Sequence, residues 1–307
     1  MSLPEPRQAA RLWGHEAAVQ RFEESWQSGR LHHAWLISGP AGVGKATLAF
    51  HLARKLLGGS DLNSPAGRRI SAGTHGDLLE IARKIDPRKG RLKGEITVAE
   101  VQPVQTFLHH TATEGGWRVV IVDGVESLNR FAANALLKIL EEPPPKAVLF
   151  LTTSAPGALL PTLRSRCRPL MLSGLDEQAM RALIPDISAD LLRRAHGSPG
   201  RALFLAQDRD GLCAGLVEQV MAGTAMDSEM WERVKQIARE GEGFALFCDL
   251  FSEALATQAR DAAMEGNSLQ AAEWAERVRQ LAQLRQQTER FNLDKAEALR
   301  EALALAP

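Results

Sequence analysis

The sequence predicts an α/β module built on a parallel sheet, then a small helical module, then a C-terminal all-helical module. Three observations carry that prediction. Short β-rich runs alternate with helical patterns through the first half, a glycine-rich loop follows the first clear run, and β character ceases after Leu172. The 307 residues, 45% of them hydrophobic, leave room for about two domains with real cores. We divide the chain at residues 1–172, 173–207 and 208–307, and see no internal repeat or low-complexity tract.

"AWLIS" (Ala34 to Ser38) reads as a buried strand feeding the glycine loop, and "ATLAFHLARKLLG" has helical periodicity ending at Gly58. "WRVVIVD" (Trp117 to Asp123) is a second apolar strand that ends on an acid. "NRFAANALLKILEEPPP" opens on a good cap, Asn129, sets Phe131, Ala135, Leu136, Ile139 and Leu140 along one face, and is stopped by the prolines from Pro143. "KAVLFLTTS" (Lys146 to Ser154) is a third strand ending in hydroxyl residues. Beyond Leu172 the pattern is a small helical bundle with a turn at "GSPG", Gly197 to Gly200. Amphipathic helices such as "MWERVKQIARE", "FALFCDLFSEALATQARDAAM" and "LQAAEWAERVRQLAQLRQQTERF" then follow.

Composition excludes several classes of protein. No apolar run approaches the roughly 18 residues of a membrane span, and the N-terminus lacks a signal pattern, so the expected location is the cytoplasm. Cys167, Cys213 and Cys248 are few and widely spaced, which fits a reducing compartment and neither a disulfide framework nor a cysteine-pair zinc site. Thirty-seven basic residues balance thirty-seven acidic ones, so any nucleic-acid contact must be local. The one dense basic run, Arg83 to Lys93, reads as an exposed loop, either solvated or touching phosphates. The neighbours His32 and His33 lack a ligand partner at metal spacing and read as packing or hydrogen-bonding residues, as does His75.

"GPAGVGKAT", Gly39 to Thr47, lies between a strand and a helix, where backbone N–H groups converge on phosphate oxygens and the helix dipole favours negative charge. Gly39, Gly42 and Gly44 permit the turn, and Lys45 would reach the outer phosphates. Ala46 stands where the pattern G-x-x-x-x-G-K-[ST] places a hydroxyl on magnesium. Thr47 lies about 100° further round the helix and does not simply substitute. Asp123 is placed to hold a metal through water, but Gly124 follows it where hydrolytic engines of this kind commonly have a glutamate. Glu126 reads as a surface or capping acid, reaching inward only if the chain bends. In "LPTLRSRCRPL", the alternating Arg164, Arg166 and Arg168 read as a loop. They are either surface arginines paired with acids or the source of an arginine given across an interface to a neighbour's phosphate. Cys167 between them reads as a small packed residue.

"GRLHHAWLISGPAGVGKATLAF", "VVIVDGVESLNRFAANALLKILEEPP", "LFLTTSAPGALLPTLRSRC" and "GSPGRAL" together resemble the bacterial clamp-loader ATPases of the AAA+ class, and within them the delta-prime branch. The resemblance is clear from Gly14 to Leu205 and weak over the C-terminal helices. It implies an AAA+ P-loop core, a small helical lid, and a C-terminal collar that assembles subunits into a five-membered ring. Carried over motif by motif, Lys45 falls in the Walker A loop and Asp123 in Walker B. Thr153, or its neighbour Ser154, falls at the first sensor, Arg166 at the "SRC" finger and Arg201 at the second sensor. The implied activity is that of a rigid, non-hydrolysing subunit offering Arg166 in trans to a gamma/tau motor, beside a delta subunit, as the ring places a sliding clamp on primed DNA. The degenerate nucleotide site, Gly39, Gly42, Gly44, Lys45, Thr47, Asp123, Thr153 and Arg201, is then expected to hold ATP or ADP without splitting it, with magnesium in doubt. Many relatives carry a four-cysteine zinc module after the first helix; the corresponding segment here has no cysteine, so no zinc and no other metal is expected. The alternatives are an active gamma/tau-like motor, against which Ala46 and Gly124 stand, and a stand-alone nucleotide-responsive DNA-binding protein on the same fold, disfavoured by the neutral charge.

Overall fold

Strands without a polar face need cover on both sides, and the first half of the chain supplies it. A computed structural model describes residues 3–86, 91–113, 116–208 and 210–307, which divide into two compact units, residues 1–203 and 204–307. In the first unit β1 (Ala34–Ser38), β2 (Leu78–Ile81), β5 (Arg118–Val122), β6 (Ala147–Thr153) and β7 (Arg168–Met171) form a five-stranded sheet in the order β2-β5-β6-β1-β7. Every pairing in it is parallel. Separately, β3 (Ile85–Asp86) pairs antiparallel with β4 (Arg91–Leu92).

Side chains alternate across a strand, and here the alternation feeds two cores. On one face Leu36, Val120, Val122, Leu149 and Leu151 pack with the helices α4 (Val98–His109) and α5 (Arg130–Glu141). On the other, Trp35, Ile37, Val119, Ile121, Val148 and Phe150 pack with Phe22 of α1 (Glu16–Gln27) and Leu48 and Leu52 of α2 (Lys45–Leu56). The short α3 (Pro65–Ala72) is capped by Ser64, whose hydroxyl accepts from Gly67 N–H. The predicted cap of α5 is present: Asn129 Oδ1 accepts from Ala132 N–H at 2.9 Å.

Three readings need correction. Phe131 is 71% exposed: the buried face of α5 keeps the predicted Leu136, Ile139 and Leu140, with Ala135 packed against them, but at its start runs through Ala132 and Ala133 instead. The arginine segment is not a loop throughout: Arg164 ends α6 (Pro161–Arg164), Arg166 lies in the turn, and Arg168 opens the edge strand β7. The β7 signal is weak in sequence because of its four residues only Leu170 is buried. The basic run is not a loop throughout either: Ile85–Asp86 pairs with Arg91–Leu92, while its residues 87–90 lie outside the described residues.

The rest of the first unit is helical. α7 (Glu177–Leu183) and α8 (Ala189–Ala195) begin on Asp176 and Ser188, whose side chains accept from first-turn N–H groups. Met180, Ile184, Ile187, Ala195 and Ala202 form a small third core, the last of them from α9 (Pro199–Leu205). The second unit contains α10 (Leu212–Met221), α11 (Ser228–Arg239), α12 (Gly243–Met264), α13 (Ser268–Phe291) and α14 (Lys295–Leu303). The brief Glu265 to Asn267 connection makes α12 and α13 antiparallel neighbours, with Phe244, Phe247, Phe251 and Leu255 of α12 buried. Among the described residues no helix is long and apolar enough to cross a membrane.

Arg118, at the amino end of β5, is buried and donates to the carbonyls of Leu108, His110 and Pro145, tying the end of α4 to the turn before β6. Its loss would strand three carbonyls at the pole of the sheet opposite the glycine loop. Arg118→Ala is therefore expected to lower unfolding stability by about 3 kcal/mol, read from urea titration of the full chain. A change below about 0.5 kcal/mol would contradict this.

Candidate functional site

In an open parallel sheet, ligands bind beyond the carboxyl ends of the strands, where successive loops diverge. Here the loops after β1, β5 and β6 meet at that end and line a cavity of about 820 Å³. Its walls include Gly42, Gly44 to Thr47, Asp123, Glu126, Thr152 and Ser154, with Trp13 and His15 from the N-terminal segment and Pro199 and Gly200 from the start of α9. That segment is tied down by Arg7, whose guanidinium pairs with Glu80 at 3.2 Å and whose carbonyl accepts from Arg54.

The glycine loop has the conformation its residues were read to permit. Gly42 and Gly44 have φ of 73° and 106°, which side chains rarely adopt. Gly42 has a second reason to be glycine: a Cβ there would lie 2.8 Å from the Cα of Gly200. The close approach is sealed by Gly200 N–H donating to Gly42 O at 3.0 Å and by Ser198 Oγ donating to Ala41 O at 2.7 Å. Helix α2 then starts without a side-chain cap, so the N–H groups of its first turn open onto the cavity.

Lys45 is buried, and its ammonium donates to Gly39 O (2.9 Å), Pro40 O (2.7 Å) and Ser154 Oγ (2.8 Å). Burial pushes its pKa below the ordinary lysine value, against the pull of Glu126 and then Asp123. Asp123 accepts from Thr152 Oγ1, which in turn accepts from Gly124 N–H at 2.9 Å. Ala46 and Thr47 both line the cavity, Ala46 with no hydroxyl to offer a metal. A volume in the ordinary ligand range, an open helix N-terminus and a lysine fit a phosphate-bearing ligand. The chain's own carbonyls already satisfy that lysine, and residue 46 supplies no ligand for magnesium.

Three residues, Glu126, Thr153 and Arg201, sit differently from their sequence readings. The chain does bend after Asp123, at Gly124 (φ 77°), and this turns Glu126 inward to line the cavity and accept from Ser154 N–H at 3.0 Å. Thr153 points away, its hydroxyl accepting from Ala155 N–H, while strand alternation brings Thr152 and Ser154 to the cavity. Thr152 went unnoticed in the sequence, though its alternation with Ser154 in "LTTS" was the available signal. Arg201 does not line the cavity; its Nε donates to Arg194 O at 2.9 Å within the helical module. Arg166 lies outside the cavity too, donating to Thr162 O at 2.9 Å and pairing with Glu141 at 2.8 Å. Of its neighbours, Arg168 is bonded to Ser25 Oγ and lies over the Trp35 ring, and Cys167 is buried, its thiol pushed up to about 12 by desolvation despite the flanking arginines.

The profile of a family described as "DNA polymerase III, delta subunit" matches residues 14–176, just over half the chain and all of the loops above. The chain belongs to that family. It is similar to DNA polymerase III subunit delta′ of Escherichia coli K12, with 38% identity over 66% of this chain and 65% of that one. It is also similar to the delta′ subunit of Pseudomonas aeruginosa, with 35% identity over 58% of this chain and 56% of that one. Similarity to subunit tau of E. coli is lower, 32% over 73% of this chain and 37% of that one. The chain thus spans less than two thirds of the length of these relatives.

Within this member of the delta-subunit family, His32 and His33 are stacked at 4.4 Å and bonded to backbone carbonyls, His33 Nε2 to that of Leu140 at 3.0 Å. His75 is buried with Nδ1 accepting from Asp77 N–H. Among the described residues no group of three or more His, Cys, Asp or Glu is arranged to hold a metal. The contact between the glycine loop and Gly200 gives the site a direct test. Gly42→Ala is expected to cost about 2–4 kcal/mol, combining positive φ with overpacking, whereas Gly29→Ala, at φ 69° in open space, costs about 1 kcal/mol. Equal losses in thermal or urea unfolding would show that the loop is not clamped.

Proposed function

We propose that this chain acts as a delta′-type, non-hydrolysing subunit of a replicative clamp loader. In this reading it braces a five-membered ring with gamma/tau motors and a delta subunit, and gives Arg166 to the ATP of the adjacent motor while the ring loads a sliding clamp on primed DNA. Family membership and the similarity to delta′ subunits support the assignment. The observation that carries the division of labour is the separation of two cations. Lys45 lies inside a cavity whose Ala46 and Gly124 lack the groups for metal-dependent hydrolysis, while Arg166 lies outside it on the surface, held by Glu141 and Thr162.

A guanidinium brought to a transferring phosphoryl group from a neighbouring chain stabilises charge that develops on its oxygens, and the donor need not react itself. The cavity's remaining role is to hold ATP or ADP unsplit, the open first turn of α2 and Lys45 serving as phosphate donors. The rival reading, an active gamma/tau-like motor, draws on the retained Lys45 and Asp123 and on the similarity to tau. It has no answer to Ala46.

The test uses a loader reconstituted with gamma/tau and delta subunits, with turnover stimulated by clamp and primed DNA. Arg166→Ala should leave folding and assembly intact, since a pair this exposed contributes at most about 1 kcal/mol. Turnover should fall by about ten- to a thousandfold. Unchanged turnover in an intact assembly would remove the trans-acting role.

A further inference from the structure

A helix that ends on a carboxylate runs against its own electrostatics. Its last turn carries unsatisfied carbonyls and a partial negative charge, so an acid there is unfavourable unless a cation answers it. Glu141 is the final residue of α5, and Glu142 follows at the cap, ahead of Pro143. The answering cation comes from another element: Arg166 Nη2 lies 2.8 Å from Glu141 Oε1, and Nη1 donates to Thr162 O at 2.9 Å.

Both ends of this link stand on fixed backbone. Leu140 is buried and its carbonyl accepts from His33, so the residue before Glu141 is anchored to the segment entering β1, and three prolines stiffen the exit from the helix. On the other side, Arg166 N–H donates to Leu163 O, and the flanking Leu163 and Cys167 are buried. An arginine has five N–H donors in a rigid plane. Two are held by Glu141 and Thr162, which fixes the plane, and three remain beyond those two contacts.

We propose that Glu141 is a positioning residue for Arg166, keeping its guanidinium ordered before a phosphate-bearing partner arrives. The inference rests on the reading of Arg166 as an arginine given in trans. It explains why the helix of "NALLKILEEPP" ends in acid: the carboxylate limits the rotamers of a long side chain that would otherwise have to be ordered during the encounter. A pair serving only to hold the fold would leave the neighbour's chemistry unaffected.

The experiment uses the same reconstituted loader with Arg166→Ala, Glu141→Ala, Glu141→Gln and the double variant Glu141→Ala/Arg166→Ala, each first shown to assemble and to melt as the parent does. Glu141→Ala should lower kcat by about three- to tenfold with KM for ATP unchanged, because the motor's own site still binds nucleotide. Glu141→Gln, which keeps an acceptor oxygen without the charge, should lose less, and would carry the test if the alanine variant unfolds. In the double variant, removing Glu141 should add nothing to the loss caused by Arg166→Ala. If Arg166→Ala is itself silent, the trans-acting reading fails and this inference with it. If Arg166→Ala lowers turnover while loss of Glu141 leaves it unchanged, raises it, or lowers it equally without Arg166, the positioning role is overturned and the trans-acting reading stands.

Discussion

One buried ammonium organises the site. Lys45 sits at the first residue of α2 and is held by two carbonyls of its own loop and by Ser154 beyond β6, so it ties the turn after β1 to the end of the central strand β6. Burial acts against its charge, and the nearby acids Glu126 and Asp123 act in its favour. A charge in that position has to be partnered, and the chain partners it internally. The same economy appears around it: Asp123 is bonded to Thr152, Glu126 to the Ser154 amide, and the loop carbonyls of Ala41 and Gly42 to Ser198 and Gly200. The result is a phosphate-type loop whose lysine, acids and carbonyls are bonded within the chain, while the first-turn N–H groups of α2 stay open to the cavity.

That internal satisfaction separates two roles often joined in one site. The rigid parts, a parallel sheet with both faces covered and a loop clamped by the approach of Gly42 to Gly200, remain intact. The reactive parts, a hydroxyl at position 46 and an acid at position 124, are missing. Arg166, the residue proposed above to act in trans, stands on a turn between α6 and β7 and is not part of the cavity's lining. On the proposed reading such a scaffold serves as a mount for a group used by a neighbour, because preorganisation depends on the mount being stiff.

Much of this was legible in the sequence where local chemistry dominates. β1 is read at its observed bounds because an unbroken apolar run between a histidine pair and a glycine loop has no other buried use, and Asn129 announces the start of α5. The failures have physical causes. β7 hides because an edge strand with one buried residue lacks a hydrophobic signature, and Phe131 misleads because helical period alone does not set where a buried stripe ends: the small Ala132 and Ala133 take the buried place beside it. Thr153 and Arg201 were carried over by motif, and motif position does not specify which face of a strand or which carbonyl a side chain will take. Glu126 depended on the left-handed turn at Gly124, which a glycine permits and only the fold requires. The pairing of Glu141 with Arg166 joins two elements distant in sequence and left no local trace.

On the proposed reading this cavity does not run hydrolysis, and the most direct test is magnesium-dependent ATP hydrolysis by the purified chain alone, in single-turnover format with enzyme in excess. The account predicts no hydrolysis above the buffer rate, with or without primed DNA. Hydrolysis above the buffer rate that disappears in Lys45→Met would contradict it, and would make the glycine loop a working engine despite Ala46.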